Sequence, residues 1–521
     1  MNKAQFLWVD DEIDLLKPHI LFLEEKGYTT ECVTNGHDAI NKCKSKSYDL
    51  IFLDEHMPGL TGLETLAEIK ERSPNVPVVM ITKSEDEGIM DKAIGKKIAD
   101  YLIKPVNPTQ VLTSIKKILD KKKLVSETVS ETYRKEYNLL DEAIKSSRTD
   151  SDWIELYRKL VFWEIELERY DYPVKELPEM QKSEANIAFA KFVRENYKRW
   201  INRWLSEKEG SEEGPVISPD LFEKYVFPIL DKGEKLFFIL IDNFRFDQWE
   251  VIKDIVYENF DCEENLYFSI LPTATPYARN SIFSGLLPKQ ISERYPDFWI
   301  DESDDNTKNG YEDLLIESQL HRGGLTSSFS YNKVNTIREG SKLSDKFREL
   351  EKYDLNVIVY NFIDLLSHAR SELKMIKELT FDEASYRSLT RSWFMHSPIV
   401  SLLKKISSAG YKAVLTTDHG SIRVKNGLKV VGDRETNTNL RYKFGKNLAY
   451  DPKRVFDIIH PSNYGLPEPN ISTRYIFALN RDFFVYPNNY NQIETHFENS
   501  FQHGGVSLEE MMVPFILLKP K

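Results

Sequence analysis

Cysteine is scarce in this chain of 521 residues. Cys32, Cys43 and Cys262 are the only three, and no two of them form a CxxC pair. An odd number of scattered cysteines provides neither a disulfide framework nor a thiolate zinc site, and it fits a reducing compartment. We therefore expect a cytoplasmic protein.

Long hydrophobic runs are also missing. The run FFILI before Asp242 has the length of a strand, far short of the roughly 20 apolar residues that a membrane-spanning helix needs. The N-terminal MNKAQFLWVDDE reaches acidic residues too soon to be a signal peptide. We expect no membrane insertion. A net charge of -12 argues against a broad basic surface that would read duplex DNA.

Two alternating strand and helix patterns are present, separated by a stretch without glycine. Residues 1–121 contain five strand-helix repeats, which predict a doubly wound, flavodoxin-like fold with a five-stranded parallel sheet. Residues 122–208 have helical spacing and lie within the glycine-free stretch between Gly95 and Gly210, which predicts a helical bundle connector. Residues 209–521 predict a larger α/β domain. The fold class is therefore α/β multidomain.

Polar residues of particular types follow the strands of the first pattern in a particular order. Asp10 and Asp11 come after the first strand, Asp54 after the third, Thr82 after the fourth and Lys104 after the fifth. The carboxyl ends of parallel strands meet at one edge of the sheet, so we expect these side chains to converge. Three carboxylates held together favour a divalent cation such as Mg²⁺. The alternative is that single aspartates only cap the following helices.

These positions resemble the response-regulator receiver family through the DxxMPG run that starts at Asp54, through Thr82, and through the Lys104-Pro105 pair. The resemblance implies that Asp54 accepts a phosphoryl group from a sensor histidine kinase and that phosphorylation drives formation of a homodimer. The implied magnesium site consists of Asp10, Asp11, Asp54 and His56. The implied switch residues are Thr82, Tyr101 and Lys104.

The second pattern carries residues of the types that bind zinc. Asp364 and His368 are four positions apart, which places both on one face of a helix. Carboxylates combined with imidazoles suit Zn²⁺, and an open coordination position would make such a site catalytic. An isolated histidine, however, is more often structural. The candidate ligands are Asp242, Asp364, His368, Asp418, His419 and His503.

A hydroxyl group at a predicted helix start completes this second set. In LPTATPYARNSIFSG, Thr273 and Thr275 are both candidates for a nucleophile, because a helix N-terminus stabilises negative charge. Either threonine taken alone is more often just an N-cap. Arg279, one turn later, is a candidate for binding a phosphate oxygen, and a surface salt bridge is an equal alternative.

The motifs IDNFRFDQW, TATPYAR, TTDHG and HGGVSLEEMMVP together resemble the alkaline phosphatase superfamily, in its PglZ branch. The resemblance implies two zinc ions and favours Thr275 over Thr273 as the nucleophile. One zinc ion is assigned to Asp364, His368 and His503. The other is assigned to Asp242, Asp418 and His419.

The order of receiver, helical connector and PglZ-type domain resembles a family of response regulators that is linked to type IX secretion and gliding. This resemblance implies a phosphodiesterase that acts on short linear or cyclic oligonucleotides, with a sigma factor or secretion machinery components as further partners. The alternatives are a phosphomonoesterase or sulfatase of the same superfamily, and a non-catalytic module that binds a nucleotide or a protein. A transcription factor is disfavoured because no helix-turn-helix pattern is present.

Overall fold

The computed structural model describes residues 4–73, 76–83, 98–169, 176–205, 214–299, 310–366, 380–433, 436–488 and 490–521. Within these ranges, the side chains of 72 and 120–127 are left undescribed. The chain forms two compact units, Met1–Thr132 and Tyr133–Lys521. No helix among the described residues is long and apolar enough to cross a membrane.

The first unit contains a parallel sheet with the strand order β2-β1-β3-β4-β5. The strands are β1 (Gln5–Val9), β2 (Thr29–Val33), β3 (Leu50–Asp54), β4 (Val78–Thr82) and β5 (Asp100–Ile103). The helices between them include α1 (Lys17–Glu25), α2 (Gly36–Ser45) and α3 (Gly62–Arg72), and a short 3-10 turn covers Ile13–Leu16. β3 and β4 are buried along their whole length because apolar clusters cover both faces of the sheet. The predicted five-stranded parallel sheet is confirmed.

A long helix, α4 (Pro108–Ser146), contains the division between the two units. It extends over 39 residues, and the predicted boundary between residues 121 and 122 falls inside it. Val111 and Ile115, near its start, belong to the apolar cluster of the first unit. Beyond Pro108 the helix contains neither glycine nor proline, so nothing in its sequence would end it at residue 121.

Two further helices follow, α5 (Asp150–Arg169) and α6 (Glu176–Leu205), and they confirm the predicted helical connector. Their buried faces are aromatic: Trp153 of α5 packs edge to face against Phe189 of α6, and Tyr197 packs against Trp200. The apolar positions recur at helical spacing, which explains why these segments bury one face each.

A six-stranded mixed sheet forms the centre of the second unit, with the order β7-β18-β10-β6-β9-β8. β10, β6, β9 and β8 are parallel, whereas β18 is antiparallel to both β7 and β10. The bounds are β6 (Leu236–Ile241), β7 (Phe260–Phe268), β8 (Phe329–Val334), β9 (Leu355–Tyr360), β10 (Lys412–Thr416) and β18 (Met512–Pro520).

Helices and small sheets surround this central sheet. The helices are α7 (Phe246–Tyr257), α8 (Thr275–Ser284), α9 (Pro288–Arg294), α10 (Glu312–Arg322), α11 (Ile337–Asp345), α12 (Glu383–His396), α13 (Pro398–Ser408) and α14 (Tyr490–Phe497). Shorter turns lie at Ser218–Asp220, Phe222–Val226, Phe227–Leu230, Phe347–Leu350, Pro461–Tyr464 and Leu508–Met511. The small sheets use β11 (Ile422–Arg423), β12 (Asn426–Lys429), β13 (Tyr442–Gly445), β14 (Val455–Ile458), β15 (Arg474–Ala478), β16 (Asp482–Val485) and β17 (Phe501–Gln502).

The parallel strands of the central sheet bring three aspartates to one edge. Asp242 follows β6 directly, Asp418 follows β10 after one residue, and Asp364 follows β9 within four residues. Because ligands of open α/β sheets bind at the carboxyl ends of the strands, this edge is where a functional site is expected.

Candidate functional sites

The first candidate site is a buried cluster of Asp242, Asp418 and His419. One possible ligand atom from each side chain lies within 4.8 Å of those of the other two. His419 Nε2 is 3.8 Å from Asp242 Oδ1 and 3.9 Å from Asp418 Oδ2. The resemblance to the alkaline phosphatase superfamily implies that these same residues bind one zinc ion. A site of two carboxylates and an imidazole fits that ion.

The second predicted ligand set lies beside the first. His503 Nε2 is 3.8 Å from Asp364 Oδ1, and the rings of His503 and His419 are stacked with their centroids 4.3 Å apart. His368, the remaining predicted member, lies outside the described residues. Two of the three predicted ligands of this set are therefore brought together.

The orientation of both histidines is fixed by backbone carbonyls. His419 Nδ1 lies 3.1 Å from Gly420 O, and His503 Nδ1 lies 3.2 Å from Thr273 O. A carbonyl oxygen can only accept, so each Nδ1 carries the hydrogen, and in the neutral ring each Nε2 keeps its lone pair. Both Nε2 atoms are therefore suited to bind a metal ion.

Asn243 connects the two ligand sets. Its backbone N–H donates to Asp418 Oδ1 at 3.4 Å, and its side-chain amide donates to Asp364 Oδ1 at 3.3 Å. The residue has a φ of 61°, in the left-handed region that asparagine tolerates better than most residues. Sequence reasoning did not single out Asn243, although it directly follows Asp242 in the IDN motif.

Arg279 is buried among carboxylates. Its Nε donates to Asp418 Oδ2 at 2.9 Å, a terminal nitrogen forms an ion pair with Asp242, and the other lies 3.5 Å from Glu312 Oε1. The side chain is 1% exposed, so the alternative of a surface salt bridge is wrong. Its guanidinium is directed at protein carboxylates.

Arg279 is one cation shared by at least two buried aspartates. Burial raises the pKa of Asp242 well above its ordinary range, and repulsion from Asp418 and Asp364 adds to this effect, while Arg279 opposes it. Burial also opposes ionisation of Asp418, but Arg279, His419 and backbone hydrogen bonds together outweigh it and lower that pKa to about 2. Buried carboxylates in excess of their cations favour an added cation.

Glu312, at the start of α10, lies behind Arg279 and was not predicted from the sequence. Its other oxygen is 2.6 Å from Lys333 Nζ and accepts a hydrogen bond from Tyr331. Burial raises the pKa of Tyr331, and the negative charge of Glu312 raises it further. Glu312 thus contacts a terminal nitrogen of Arg279 that pairs with neither Asp242 nor Asp418.

The two candidate threonines have different surroundings. Thr275, the first residue of α8, is half-buried, and its Oγ1 is 3.1 Å from His419 Nε2 and 3.4 Å from Asp242 Oδ1. Thr273 is fully buried: its hydroxyl donates to Gly505 O at 2.9 Å and accepts from Gly504 N at 3.0 Å. The Thr273 hydroxyl is thus used to hold the loop after His503, while Thr275 faces the candidate metal ligands.

The candidate receiver site lies at the carboxyl ends of β1, β3 and β5. Asp10, Asp11 and Asp54 form a second cluster of possible metal ligands, whose ligand atoms lie within 4.8 Å of one another. Lys104 Nζ is 2.8 Å from Asp10 Oδ2 and 3.2 Å from Asp54 Oδ2. The buried Asp54 Oδ1 has no hydrogen-bond partner among the described residues. Oxygen ligands of this kind fit Mg²⁺.

The electrostatics of Asp54 match those of a site that lacks positive charge. Burial raises its pKa, the carboxylates of Asp10 and Asp11 raise it further, and Lys104 opposes both effects. Asp10 and Asp54 are buried, whereas Asp11 is exposed. A divalent cation there would offset the repulsion between the carboxylates.

The remaining predicted receiver residues are Thr82, His56 and Tyr101. Thr82 is buried at the end of β4, and His56 is exposed two residues after Asp54. Tyr101, in β5, is partly buried and packs against the apolar cluster on one face of the sheet. The structure thus brings Asp10, Asp11, Asp54 and Lys104 together at one edge.

Comparisons with known families identify each part of the chain. The family model described as a BREX system PglZ alkaline phosphatase-like domain matches residues 221–518, more than half of the chain. The chain belongs to the PglZ alkaline phosphatase-like family. A response regulator receiver domain matches residues 6–116, and a PorX response regulator linker domain matches residues 123–201.

Receiver, PorX linker and PglZ domain in this order form the architecture of the PorX response regulators, and the predicted resemblance is confirmed. The PglZ domain indicates a hydrolase of the alkaline phosphatase superfamily, whose domains generally use metal ions. Receivers use Mg²⁺, and they imply a phosphodonor such as a histidine kinase and a capacity to dimerise.

Individual relatives match the receiver part. The transcriptional regulatory protein ResD of Bacillus subtilis is 33% identical over 118 residues, which are 23% of this chain and 49% of that protein. The CpxR homolog of Haemophilus influenzae is 37% identical over 129 residues, 24% of this chain and 55% of that protein. The chain thus spans about half the length of these curated relatives. A receiver domain from Methanospirillum hungatei, solved by crystallography, is 26% identical with a TM-score of 0.23, and the match covers 23% of this chain and 96% of that structure.

Proposed function

We propose that this response regulator has a zinc-dependent phosphodiesterase as its output, with Thr275 as the nucleophile and short linear or cyclic oligonucleotides as substrates. Phosphorylation of Asp54 and dimerisation regulate it, in the cytoplasm, in connection with type IX secretion and gliding. The observation that carries the proposal is the Thr275 hydroxyl, 3.1 Å from His419 Nε2 at the start of α8 and beside Asp242.

Two zinc ions account for the ligands. Asp242, Asp418 and His419 would hold one of them. Asp364, His503 and His368 would hold the other, with His368 outside the described residues. Bound zinc would supply positive charge to the phosphate and to the departing oxygen. The nitrogen and carboxylate donors, and the mutual repulsion of the buried carboxyl groups, support this assignment.

Several residues of the chain contribute to the proposed reaction. Thr275 Oγ1 loses its proton and forms a bond to phosphorus while the bond to the leaving alkoxide breaks, and the alkoxide takes up one proton, so the step is balanced in protons. Water then forms a bond to phosphorus, the bond between phosphorus and Thr275 Oγ1 breaks, and a proton from the water restores the Thr275 hydroxyl. Asp242 Oδ1, 3.4 Å from Thr275 Oγ1, orients the hydroxyl. The helix dipole of α8 favours negative charge at this position.

Arg279 has a supporting role in this proposal. Its guanidinium holds Asp418 and Asp242, so that each aspartate keeps a fixed oxygen for the metal ion. We assign Arg279 to the positioning of ligands in place of direct binding to the substrate phosphate.

In the receiver, Asp54 would take the phosphoryl group. A carboxylate oxygen of Asp54 forms the bond to phosphorus, and the bond to the donor histidine breaks. Asp10, Asp11, Asp54 and His56 would hold Mg²⁺. Lys104, now shared by Asp10 and Asp54, would neutralise an oxygen of the phosphoryl group, and Thr82 and Tyr101 would respond to it.

The substrate class can be tested with the full chain saturated with zinc. We expect hydrolysis of bis(p-nitrophenyl) phosphate to exceed that of p-nitrophenyl phosphate and p-nitrophenyl sulfate. Mass spectrometry of reactions with a linear and a cyclic dinucleotide then identifies the natural bond. A preference for the monoester or the sulfate would contradict the diesterase. Zinc binding without hydrolysis of any ester would favour the non-catalytic module.

The nucleophile can be tested by matched substitutions. Thr275→Val should abolish turnover, while Thr275→Ser should retain it because the hydroxyl is kept. Zinc content and thermal unfolding of both variants should equal those of the unaltered protein. An active Thr275→Val would exclude Thr275 as the nucleophile.

Regulation can be tested by sedimentation. Beryllofluoride with Mg²⁺ should raise the mass of the protein to that of a dimer, and Asp54→Asn should prevent this. An unchanged mass would contradict the proposed dimerisation.

A further inference from the structure

The single-turn helix Leu508–Met511 fixes three segments of the candidate active site. Gly420 N donates to Glu510 O at 3.1 Å, and Ser269 N donates to Met511 O at 2.7 Å. The side chain of Glu510 accepts from Gly505 N at 2.8 Å. These segments carry His419, the candidate nucleophile and His503 respectively, so the position of this turn determines where they lie.

The contact between this turn and the loop after Asp418 leaves no free space. A Cβ atom at Gly420 would lie 2.1 Å from Glu509 O, which belongs to the backbone and cannot move aside independently. Gly420 is therefore required for the close approach, and a displacement of the turn would be passed directly to the neighbouring His419.

Helix α6 holds the same turn from its other side. Asn186 accepts from Leu508 N at 2.7 Å and donates to Glu509 Oε2 at 3.0 Å. Lys182, one turn earlier in α6, lies 3.1 Å from Glu509 Oε1. Asn186 and Glu509 are almost fully buried, so water does not compete for these bonds.

The same face of α6 also holds the segment that leads to Thr275. Leu271 N donates to Tyr197 Oη at 2.7 Å, and Tyr197 is 1% exposed. Tyr197 lies eleven positions after Asn186, which is three helical turns and therefore the same side of the helix. One rigid helix thus contacts both parts of the candidate active site.

We infer that Asn186 and Tyr197 are positioning residues of the output enzyme, supplied by the linker helix α6. Among the described residues, neither side chain hydrogen-bonds Thr275 or a candidate metal ligand; both act through groups of the segments that carry them. The inference rests on the proposed phosphodiesterase. It makes the linker part of the catalytic apparatus.

The test measures kcat and KM of the zinc-loaded full chain with bis(p-nitrophenyl) phosphate. Tyr197→Phe removes one hydroxyl, and Asn186→Leu removes both amide contacts at similar volume. Displacements of a fraction of an ångström are enough to impair catalysis, so we expect kcat to fall by about tenfold or more in each variant. KM and bound zinc should stay close to those of the unaltered protein, and both variants should remain folded at the assay temperature.

Two control variants match these substitutions. Tyr157→Phe in α5 removes a buried hydroxyl that has no hydrogen-bond partner among the described residues. Asn196→Leu in α6 removes an amide whose one hydrogen bond within the described part of the chain goes to the carbonyl of Phe192 in its own helix. Both variants should keep the full kcat.

An exchange of donor and acceptor in the hydrogen bond between positions 186 and 509 distinguishes a positioning role from general destabilisation. Asn186→Asp alone places a second carboxylate beside Glu509 and should lower kcat. The double variant Asn186→Asp/Glu509→Gln restores a hydrogen bond in the opposite direction and keeps one negative charge near Lys182. It should recover most of the kcat, and failure to recover would overturn the inference.

Hydrogen exchange provides a readout that does not depend on activity. Tyr197→Phe should accelerate exchange in residues 268–276, and Asn186→Leu should accelerate it in residues 415–422 and 500–512, with the remaining segments unchanged. Unchanged exchange in these segments, or a kcat equal to that of the unaltered protein, would overturn the inference. An unaltered protein without hydrolytic activity, combined with the predicted exchange, would contradict only the proposed function.

Discussion

Replacement of Lys182 by methionine should destabilise the second unit strongly. Lys182 is 8% exposed, and its Nζ lies 2.9 Å from Glu164 and 3.1 Å from Glu509. Burial opposes ionisation of Glu164, but Lys182 and Arg387 outweigh it and lower its pKa from 4.5 to about 2. Without the lysine, two buried carboxylates lose a shared cation.

The expected loss in the free energy of unfolding follows from these pKa shifts. Each pKa unit corresponds to about 1.4 kcal/mol, so the Glu164 environment is worth roughly 3 kcal/mol, shared between Lys182 and Arg387. Glu509, whose pKa is also lowered by Lys182 against the effect of burial, adds to the loss. Breaking a buried ion pair by removal of one partner typically costs about 3–5 kcal/mol. We expect about 3 kcal/mol for Lys182→Met at pH 7.

Urea denaturation monitored by tryptophan fluorescence measures this loss. Seven of the eight tryptophans lie beyond residue 132, so the signal reports mainly on the second unit. Lys191→Met, on the same helix but exposed, is the control and should change the free energy of unfolding by less than about 0.5 kcal/mol.

The pH dependence gives a second check. Glu164 and Glu509 have lowered pKa values in the folded state, so their contribution to stability is present above about pH 4.5 and is lost as the pH falls toward 2. The difference between the unaltered protein and Lys182→Met should therefore shrink below pH 4.5. A difference below about 0.5 kcal/mol at pH 7, or one that is equal at pH 7 and pH 3.5, would refute the reasoning.

Three further substitutions test the two candidate metal sites. Lys104→Met removes the cation between the receiver carboxylates, so Mg²⁺ should raise the thermal unfolding temperature of the variant more than that of the unaltered protein; an equal rise would contradict this. Arg279→Met leaves Asp242 and Asp418 without their buried cation, so the metal-free protein should lose stability and zinc should restore a large part of it in calorimetry. Gly420→Ala should lower both the unfolding temperature and kcat, because the added methyl group would collide with a backbone carbonyl, and full activity would contradict that collision.

The positions that could be predicted best from the sequence are those of functional residues at the ends of strands. Asp54 ends a buried parallel strand of the first sheet, and Asp242 and Asp418 follow buried parallel strands of the second sheet. The alternation of apolar strands and helices is sufficient to place each of them at the carboxyl edge of its own sheet. The same reasoning predicted the parallel receiver sheet. In such folds the local apolar pattern determines where a residue lies in the tertiary structure, so a single sequence is enough to predict these positions.

The surroundings of these residues could not be predicted in the same way. Helical spacing placed Arg279 one turn after Thr275, but its contact with Glu312 depends on how α10 packs against α8. The hydrogen bonds of Asn186 to the turn Leu508–Met511 join residues more than 300 positions apart. A single sequence contains no signal for such contacts, because they arise only after the elements have packed. The domain boundaries at residues 121 and 208 stay a prediction.

The two candidate sites use the same architectural principle, yet their donor atoms argue for different ions. In the receiver, the ligand atoms of Asp10, Asp11 and Asp54 are all carboxylate oxygens, which suit a hard cation that keeps part of its water shell. In the output domain, two imidazoles join the aspartates, and the backbone carbonyls at Gly420 and Thr273 hold each ring with its Nε2 toward them. Nitrogen donors oriented in this way favour zinc. In each site a cationic side chain, the partly buried Lys104 or the buried Arg279, limits the repulsion among the carboxylates.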